Sequence, residues 1–212
     1  SKSRIFVRCS YDSMCSRDLN MTTLNSPSGL SFTVLGMNDE IAPQFTPEIQ
    51  DLIAQHRIFS GGRRHRELVA SLLPKGAVWI DIVVPLMEVY EQYRQHDAPV
   101  LVFASGDPLF FGYTTTLMRE FPGLVRQTFP SFSSLQLLAH ALRLPYHDMR
   151  FVSLTGRPWH EFDRALIERA PKVGILTDRK NTPAHIAQRM LDYGYSNYQM
   201  HIGVRLGGSR EE

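Results

Sequence analysis

From Val100 to Gly112 the chain reads VLVFASGDPLFFG. Val100, Leu101, Val102 and Phe103 form an unbroken apolar, largely β-branched run, the pattern of a strand buried on both faces of a parallel sheet. Ala104, Ser105 and Gly106 are small enough to bring the backbone close to a ligand, and Asp107 sets a carboxylate at the carboxyl end of the strand. Pro108 suits the first turn of a helix, expected over Phe110 to Phe121. Ligands of open α/β sheets bind at this edge. Two readings of Asp107 stand side by side: a carboxylate facing a ligand, or a cap for the next helix.

Outward from this stretch, strand and helix alternate. Leu30 to Leu35 reads as a strand ended by Gly36, and Thr46-Pro47-Glu48 opens a helix with an N-cap hydroxyl, a proline at the first position and an early acid. Arg57 to Ser60 is a short strand, and Gly61-Gly62 is read as a tight turn into a helix whose Leu68, Val69, Leu72 and Leu73 face inward. Val78 to Ile82 is a strand; Pro85 to His96 is a helix with Tyr90, Glu91, Tyr93 and Arg94 on its wetter side. Val125 to Phe129 is a strand leading through PSFSS into a helix over Leu135 to Leu142. The alternation predicts an α/β fold with a mainly parallel sheet.

Leu144 to Asp148 interrupts the pattern. Beyond it come a strand over Met149 to Leu154, a helix over His160 to Arg169, a strand over Lys172 to Leu176, a helix from Pro183 to Tyr193 stopped by Gly194, and a last strand over Tyr198 to Val204. The expected organisation is a disordered leader over 1–28, a first α/β domain over 29–143, and a second over 144–212, cut from a longer polypeptide before its sheet is complete. Met21 is an alternative start.

At 212 residues and 43% hydrophobic content the chain can bury a core. No apolar run approaches the roughly 20 residues of a membrane span, so no membrane partner is expected. The net charge of +2 is spread along the sequence, which gives no sign of a nucleic-acid partner. Its one basic knot, Arg63 to Arg66, reads as a solvated helix face or an anion site. The two cysteines, Cys9 and Cys15, support neither a disulfide framework nor a thiolate metal site, and a reducing, cytoplasmic compartment is the simpler expectation. The eight histidines are dispersed; His56, His65 and His96 read as surface residues, and no metal is expected.

Four loops leave strand ends with small or hydroxyl residues: Gly36, Ser105-Gly106-Asp107, Ser131 to Ser134, and Thr177 to Thr182. Such loops converge on one sheet edge and suit a nucleoside-like ligand, with Phe110 and Leu154 against its flat base. Neither G-x-x-x-x-G-K-[ST], G-x-G-x-x-G nor G-x-S-x-G occurs. The residues alone lead to one or two α/β domains binding a nucleotide-like molecule.

SGGRRHREL (60–68), FASGDPLFFG (103–112), PSFSSLQLLAHALRLPYHDMRFVSLTGRP (130–158), LTDRKNTPAHIA (176–187) and GVRLG (203–207) together resemble the tetrapyrrole (corrin and porphyrin) methylase family, in the family's order and over most of the chain. The resemblance implies two α/β domains with S-adenosylmethionine in the cleft between them, a homodimer, and methylation of carbon 5 of a precorrin or cobalt-precorrin macrocycle in cobalamin biosynthesis. Carried over by position, Gly36, Gly106, Asp107, Phe110, Ser133, Ser134, Leu154, Asn181 and Thr182 would hold the cofactor. Arg63, Arg64 and Arg157 would meet the carboxylate side arms of the substrate. Ser133-Ser134 and Asn181-Thr182 read equally as helix caps. The family's glycine-rich first loop is replaced here by Gly36-Met37-Asn38-Asp39-Glu40. The implied chemistry is in-line attack of an electron-rich ring carbon on a sulfonium methyl, favoured by orientation. No catalytic residue is assigned; His140, His147 and Asp148 are positional candidates for a base. A covalently linked domain that methylates carbon 15 with decarboxylation is a further expectation. Two alternatives remain open: a methylase of the same fold acting on RNA or protein, and a non-catalytic ligand-binding domain.

Overall fold

The computed structural model describes residues 29–38, 43–204 and 206. The expected leader, both cysteines and Asp39-Glu40 lie outside the described residues. In chain order the elements are β1 (Ser31–Met37), α1 (Pro47–Gln55), β2 (Ile58–Gly61), α2 (Arg63–Val69), β3 (Val78–Asp81), α3 (Leu86–His96), β4 (Pro99–Ser105), α4 (Tyr113–Glu120), β5 (Val125–Phe129), α5 (Ser134–Ala141), β6 (Arg150–Ser153), α6 (His160–Ile167), β7 (Val173–Leu176) and α7 (Pro183–Asp192). The fold is α/β, with parallel strands and flanking helices as the alternating pattern predicts.

Five strands form one sheet in the order β3-β2-β4-β1-β5, every pair parallel. β4 lies at its centre and is buried on both faces. Val100 and Val102 point to one side with Phe32, Val34, Tyr93 and Leu117, while Leu101 and Phe103 point to the other with Leu35, Ile53, Phe59 and Val69. This period-two division explains the unbroken apolar run: a strand covered by helices on both sides has no wet face. Each such side chain contributes about 1.5–3 kcal/mol on burial. β6 and β7 form a separate parallel pair, in register from Arg150 with Val173 to Ser153 with Leu176. Their core is Val152, Leu154, Phe162, Leu166, Ile186 and Met190.

Helix starts follow their capping chemistry. The Thr46 hydroxyl accepts from the Ile49 N–H, and the Thr182 hydroxyl from the His185 N–H, each ahead of a proline at the first position. Ser133 and Gln136 form a reciprocal capping box, each side chain accepting the other's backbone N–H. Gly194 takes φ +81°, the left-handed stop expected of it.

Five expectations are corrected. β1 runs through Gly36, which pairs with Ala104, so that glycine does not end the strand. The helix after β4 starts at Tyr113 and not at Phe110. Asp107 accepts the Leu109 N–H at 2.9 Å and holds Pro108 to Gly112 as a turn, with Phe111 at φ +54°. Gly61 and Gly62 are extended, with Gly61 paired in β2. A Cβ on Gly61 would lie 3.1 Å from the Trp79 ring, so it serves packing, not a turn. Tyr90 and Tyr93 are buried. Their hydroxyls suggested a wet face, yet the Tyr93 ring packs edge-on against Phe32 and Phe121, and its hydroxyl finds Ser60. Finally, Tyr198 to Val204 forms no strand. The alternation is there, but a ladder needs a partner edge. The segment is instead pinned by the Tyr198 hydroxyl to the Ala170 carbonyl at 2.9 Å, with Leu206 beside Gly203. Among the described residues no helix is long and apolar enough to cross a membrane.

Candidate functional site

Because all five strands of the first sheet are parallel, their carboxyl ends share one edge, and the turns that leave it face a cavity of about 1470 Å³. Met37 and Asn38 line it at the end of β1, Ser105 to Asp107 and Phe110 to Gly112 at the end of β4, and Phe132 to Leu135 after β5. Thr155 after β6 and Thr177 after β7 bring the second sheet's carboxyl edge to the same space. The cavity then continues past β7 to α5 and the segment around Tyr195 to Leu206.

The meeting of these turns rests on glycine and on main-chain bonds. The Gly106 N–H donates to the Met37 carbonyl at 2.8 Å, fastening the turn after β4 to the end of β1. Gly106 sits at φ +64°, and a Cβ there would lie 3.1 Å from both the Phe132 carbonyl oxygen and the Ser133 Cα. Three chain segments therefore touch where only hydrogen occupies the α-carbon. Across the cleft, the Phe110 ring meets Phe151 edge-on at 5.1 Å, and the Arg157 guanidinium lies 5.6 Å from the Phe111 ring.

On the second sheet, Asp178 organises the turn after β7. Its carboxylate accepts from the backbone N–H groups of Asn181, Gly156 and Lys180 at 2.6, 2.8 and 2.9 Å. These donors, Asn181 first, hold its carboxyl below the usual carboxylate range. Buried Asn181 then donates from its side chain to the Leu154 carbonyl at 2.7 Å, while the Leu154 N–H donates to the Leu176 carbonyl. Thr155 donates to the Thr177 carbonyl at 3.1 Å, and the buried Ser153 hydroxyl finds no partner among the described residues.

Of the residues expected to hold a ligand, Gly106, Asp107, Phe110, Ser133 and Ser134 line the cavity. Gly36, Leu154, Asn181 and Thr182 do not. Gly36 is buried in β1, Leu154 is wholly buried with both backbone groups bonded, Asn181 braces the wall from behind, and Thr182 caps α7. Arg63, Arg64 and Arg157 lie outside the lining. Arg63 is exposed and paired with Glu67, and Arg64 is exposed on the same turn. His140 and His147 line a separate small cavity, and Asp148 is bound to Lys172 at 2.8 Å.

His65 and Tyr113 are among the lining side chains that escaped the sequence reading. His65, taken for a surface residue, lines the cavity and lies 3.0 Å from the Ser105 hydroxyl. Its signal was the spacing from Gly62, which makes it the third residue of a helix whose entry lacks a capping side chain. Tyr113 also faces the cavity; its burial, with Tyr93 beside it, raises its phenol far above the ordinary value.

Three comparisons bear on this arrangement. The profile of the family described as Tetrapyrrole (Corrin/Porphyrin) Methylases matches residues 42–212. A precorrin-6Y C(5,15)-methyltransferase [decarboxylating] of Sinorhizobium sp is 33% identical over 84% of this chain, and the chain spans 43% of that relative's length. A cobalt-precorrin-7 C(5)-methyltransferase of Salmonella typhimurium is 29% identical over 84% of this chain and 87% of its own. Among solved structures, a uroporphyrin-III C-methyl transferase from Thermus thermophilus, complexed with S-adenosylhomocysteine, superposes with a TM-score of 0.57. It is 20% identical, and the match covers 86% of this chain and 81% of that one.

Proposed function

Because this chain belongs to the tetrapyrrole methylase family, we propose that it methylates carbon 5 of a precorrin or cobalt-precorrin macrocycle in cobalamin biosynthesis, with S-adenosylmethionine as methyl donor. The observation that carries the reading is the cavity at the joint carboxyl edges of the two sheets. At about 1470 Å³ it exceeds the roughly 300–1,000 Å³ of an ordinary small-molecule pocket and has room for a nucleoside beside a larger ring. Both C5-methylating relatives support the substrate.

The residues present fit the donor. Gly106 leaves a surface without a side chain, Phe110 offers an apolar ring, and Asp107 keeps one carboxylate oxygen beyond the one bonded to Leu109 for a hydroxyl or an ammonium. Ser134 and Thr177 add hydroxyls, while Asn181 and Thr182 fix the second-sheet turn behind them. When bound, the donor supplies an electrophilic methyl on a positively charged sulfur. The protein's part is to hold two reactants in line, a large source of rate by itself, and to keep the transfer among apolar walls. Arg157, against Phe111 at the cleft, and Arg63 and Arg64 on α2 would draw the carboxylate side arms of the macrocycle toward the opening.

The reading includes two domains divided at 143/144, a homodimer, and a cytoplasmic location. It also includes, in the whole protein, a linked domain for decarboxylating methylation at carbon 15, as in the Sinorhizobium relative's name. Calorimetry with S-adenosylhomocysteine tests the donor site, and a methyl-sized mass increase on the corrin precursor tests the reaction. A folded sample that binds no S-adenosylhomocysteine would leave a non-catalytic domain as the reading, and methylation of RNA in place of the macrocycle would favour a macromolecular substrate.

A further inference from the structure

Sheet order splits the cavity's rim into two halves. The turns after β1, β4 and β5 lie toward the second sheet, since Phe110 packs on Phe151 and Leu135 of α5 reaches the place beside Gly174. Gly62 and His65, after β2, and Ile82, after β3, line the half on the other side of β4. His65 and Ser105 join the two halves across 40 residues of sequence.

The hydrogen bonds of His65 have a direction. The Gly62 main-chain N–H, which can only donate, meets Nδ1 at 3.2 Å. Nδ1 is therefore the unprotonated nitrogen, the ring proton sits on Nε2, and Nε2 donates to the Ser105 oxygen at 3.0 Å. With its oxygen used as acceptor on that side, Ser105 turns its own hydrogen away from His65. Ser105 is exposed and stands in the cavity wall, so the pair presents a donor to the cavity. These two contacts hold the His65 ring between the Gly62 backbone and the Ser105 hydroxyl, where it orients that hydroxyl.

We propose that His65 is a positioning residue that fixes the Ser105 hydroxyl as a hydrogen-bond donor to a carboxylate side arm of the macrocycle, held in the half of the cavity beneath β2 and β3. The assignment rests on the reading of the substrate as a carboxylated tetrapyrrole. Gly106, Asp107, Phe110, Ser133 and Ser134, read as the donor's residues, lie on the other half of the rim.

The test uses the full chain, cobyrinic acid as a carboxylated corrinoid probe, and S-adenosylhomocysteine as control, both by calorimetry. Ser105→Ala and His65→Ala are each expected to weaken cobyrinic acid binding about tenfold, and the double variant to be no weaker than Ser105→Ala. In the His65 variants, S-adenosylhomocysteine affinity is expected to stay within about twofold. His65→Gln keeps an amide donor near the Nε2 position and should restore binding. His65→Asn keeps an acceptor for Gly62 without the reach to Ser105; it should restore the melting temperature but not the affinity. If His65→Ala does not fold, Gln against Asn carries the same comparison. Losses that add in the double variant, His65→Asn binding as tightly as wild type, or S-adenosylhomocysteine affinity falling in step would each overturn the proposal. Wild-type protein that binds S-adenosylhomocysteine but not cobyrinic acid overturns it together with the substrate reading; wild-type protein that binds both, with His65→Ala unaffected, overturns this proposal alone.

Discussion

A Cβ on Gly36 would stand 2.1 Å from the carbonyl oxygen of Gly106, and 2.9 Å from both the Ser131 nitrogen and the Pro108 ring. Two of these three neighbours are main chain and cannot swing aside. Gly36→Ala is therefore expected to cost about 3 kcal/mol and to abolish S-adenosylhomocysteine binding, because it pushes apart the turns that shape the cavity. Gly123→Ala, at φ +74° in open space, should cost only about 1 kcal/mol. Urea midpoints of the two variants check the contrast; equal losses would show that the three segments around Gly36 give way to a Cβ.

Asp107 has two roles that a pair of substitutions separates. Its hold on the turn through the Leu109 N–H survives in Asp107→Asn, which keeps an acceptor oxygen, and is lost in Asp107→Ala at about 1 kcal/mol. If the carboxylate also holds the donor, both variants should lose at least about tenfold in S-adenosylhomocysteine affinity. Calorimetry and thermal melting read the two effects independently, and an Asn variant that binds normally would leave only the turn.

The backbone donors on Asp178, Asn181 foremost, lower its carboxyl from the ordinary value, which fixes the sign of its pH effect. Its contribution is complete above the unfolded value, near pH 4, and disappears as pH falls through the lower folded value. S-adenosylhomocysteine affinity should accordingly be flat from pH 8 to 5, as far as this residue governs it. Asp178→Ala should weaken binding at pH 7 by loosening the turn that carries Asn181. Carboxyl NMR titration of Asp178 checks the direction of the shift.

The Tyr93 hydroxyl meets Ser60 at 2.7 Å and Tyr113 at 3.5 Å inside the first sheet's packing. Tyr93→Phe should cost about 1 kcal/mol at pH 8. Burial raises the phenols of Tyr93 and Tyr113. The stability tied to their neutral forms is thus whole below pH 10 and lost as pH climbs through the folded values. Between pH 8 and 11 the variant should lose less of its urea midpoint than wild type; an equal loss would show that Tyr93 takes no part in alkaline unfolding.

What the sequence made legible follows the range of the forces involved. The strand over Val100 to Phe103 and the caps at Thr46, Ser133 and Thr182 are written in neighbouring residues, and the structure carries them as expected. The errors came where a distant partner decides. Tyr93 reads as wet until Phe32 and Phe121 close over it. Gly36 reads as a turn until Ala104 pairs with it, and Tyr198 to Val204 alternates like a strand without an edge to join. Within the cavity wall, Gly106, Asp107 and Ser133 were found because small and hydroxyl residues at strand ends mark a ligand edge. His65 was missed because its bond to Ser105 spans two crossovers of the sheet.

The bond from the Gly106 N–H to the Met37 carbonyl joins atoms that nearly every amino acid carries. Evolution can therefore rewrite the side chains around that junction while the scaffold of the cleft endures. A change of side chain at Met37 or Asn38, which stand in the cavity wall, becomes a licence to vary which molecule is admitted without rebuilding the vessel that receives it.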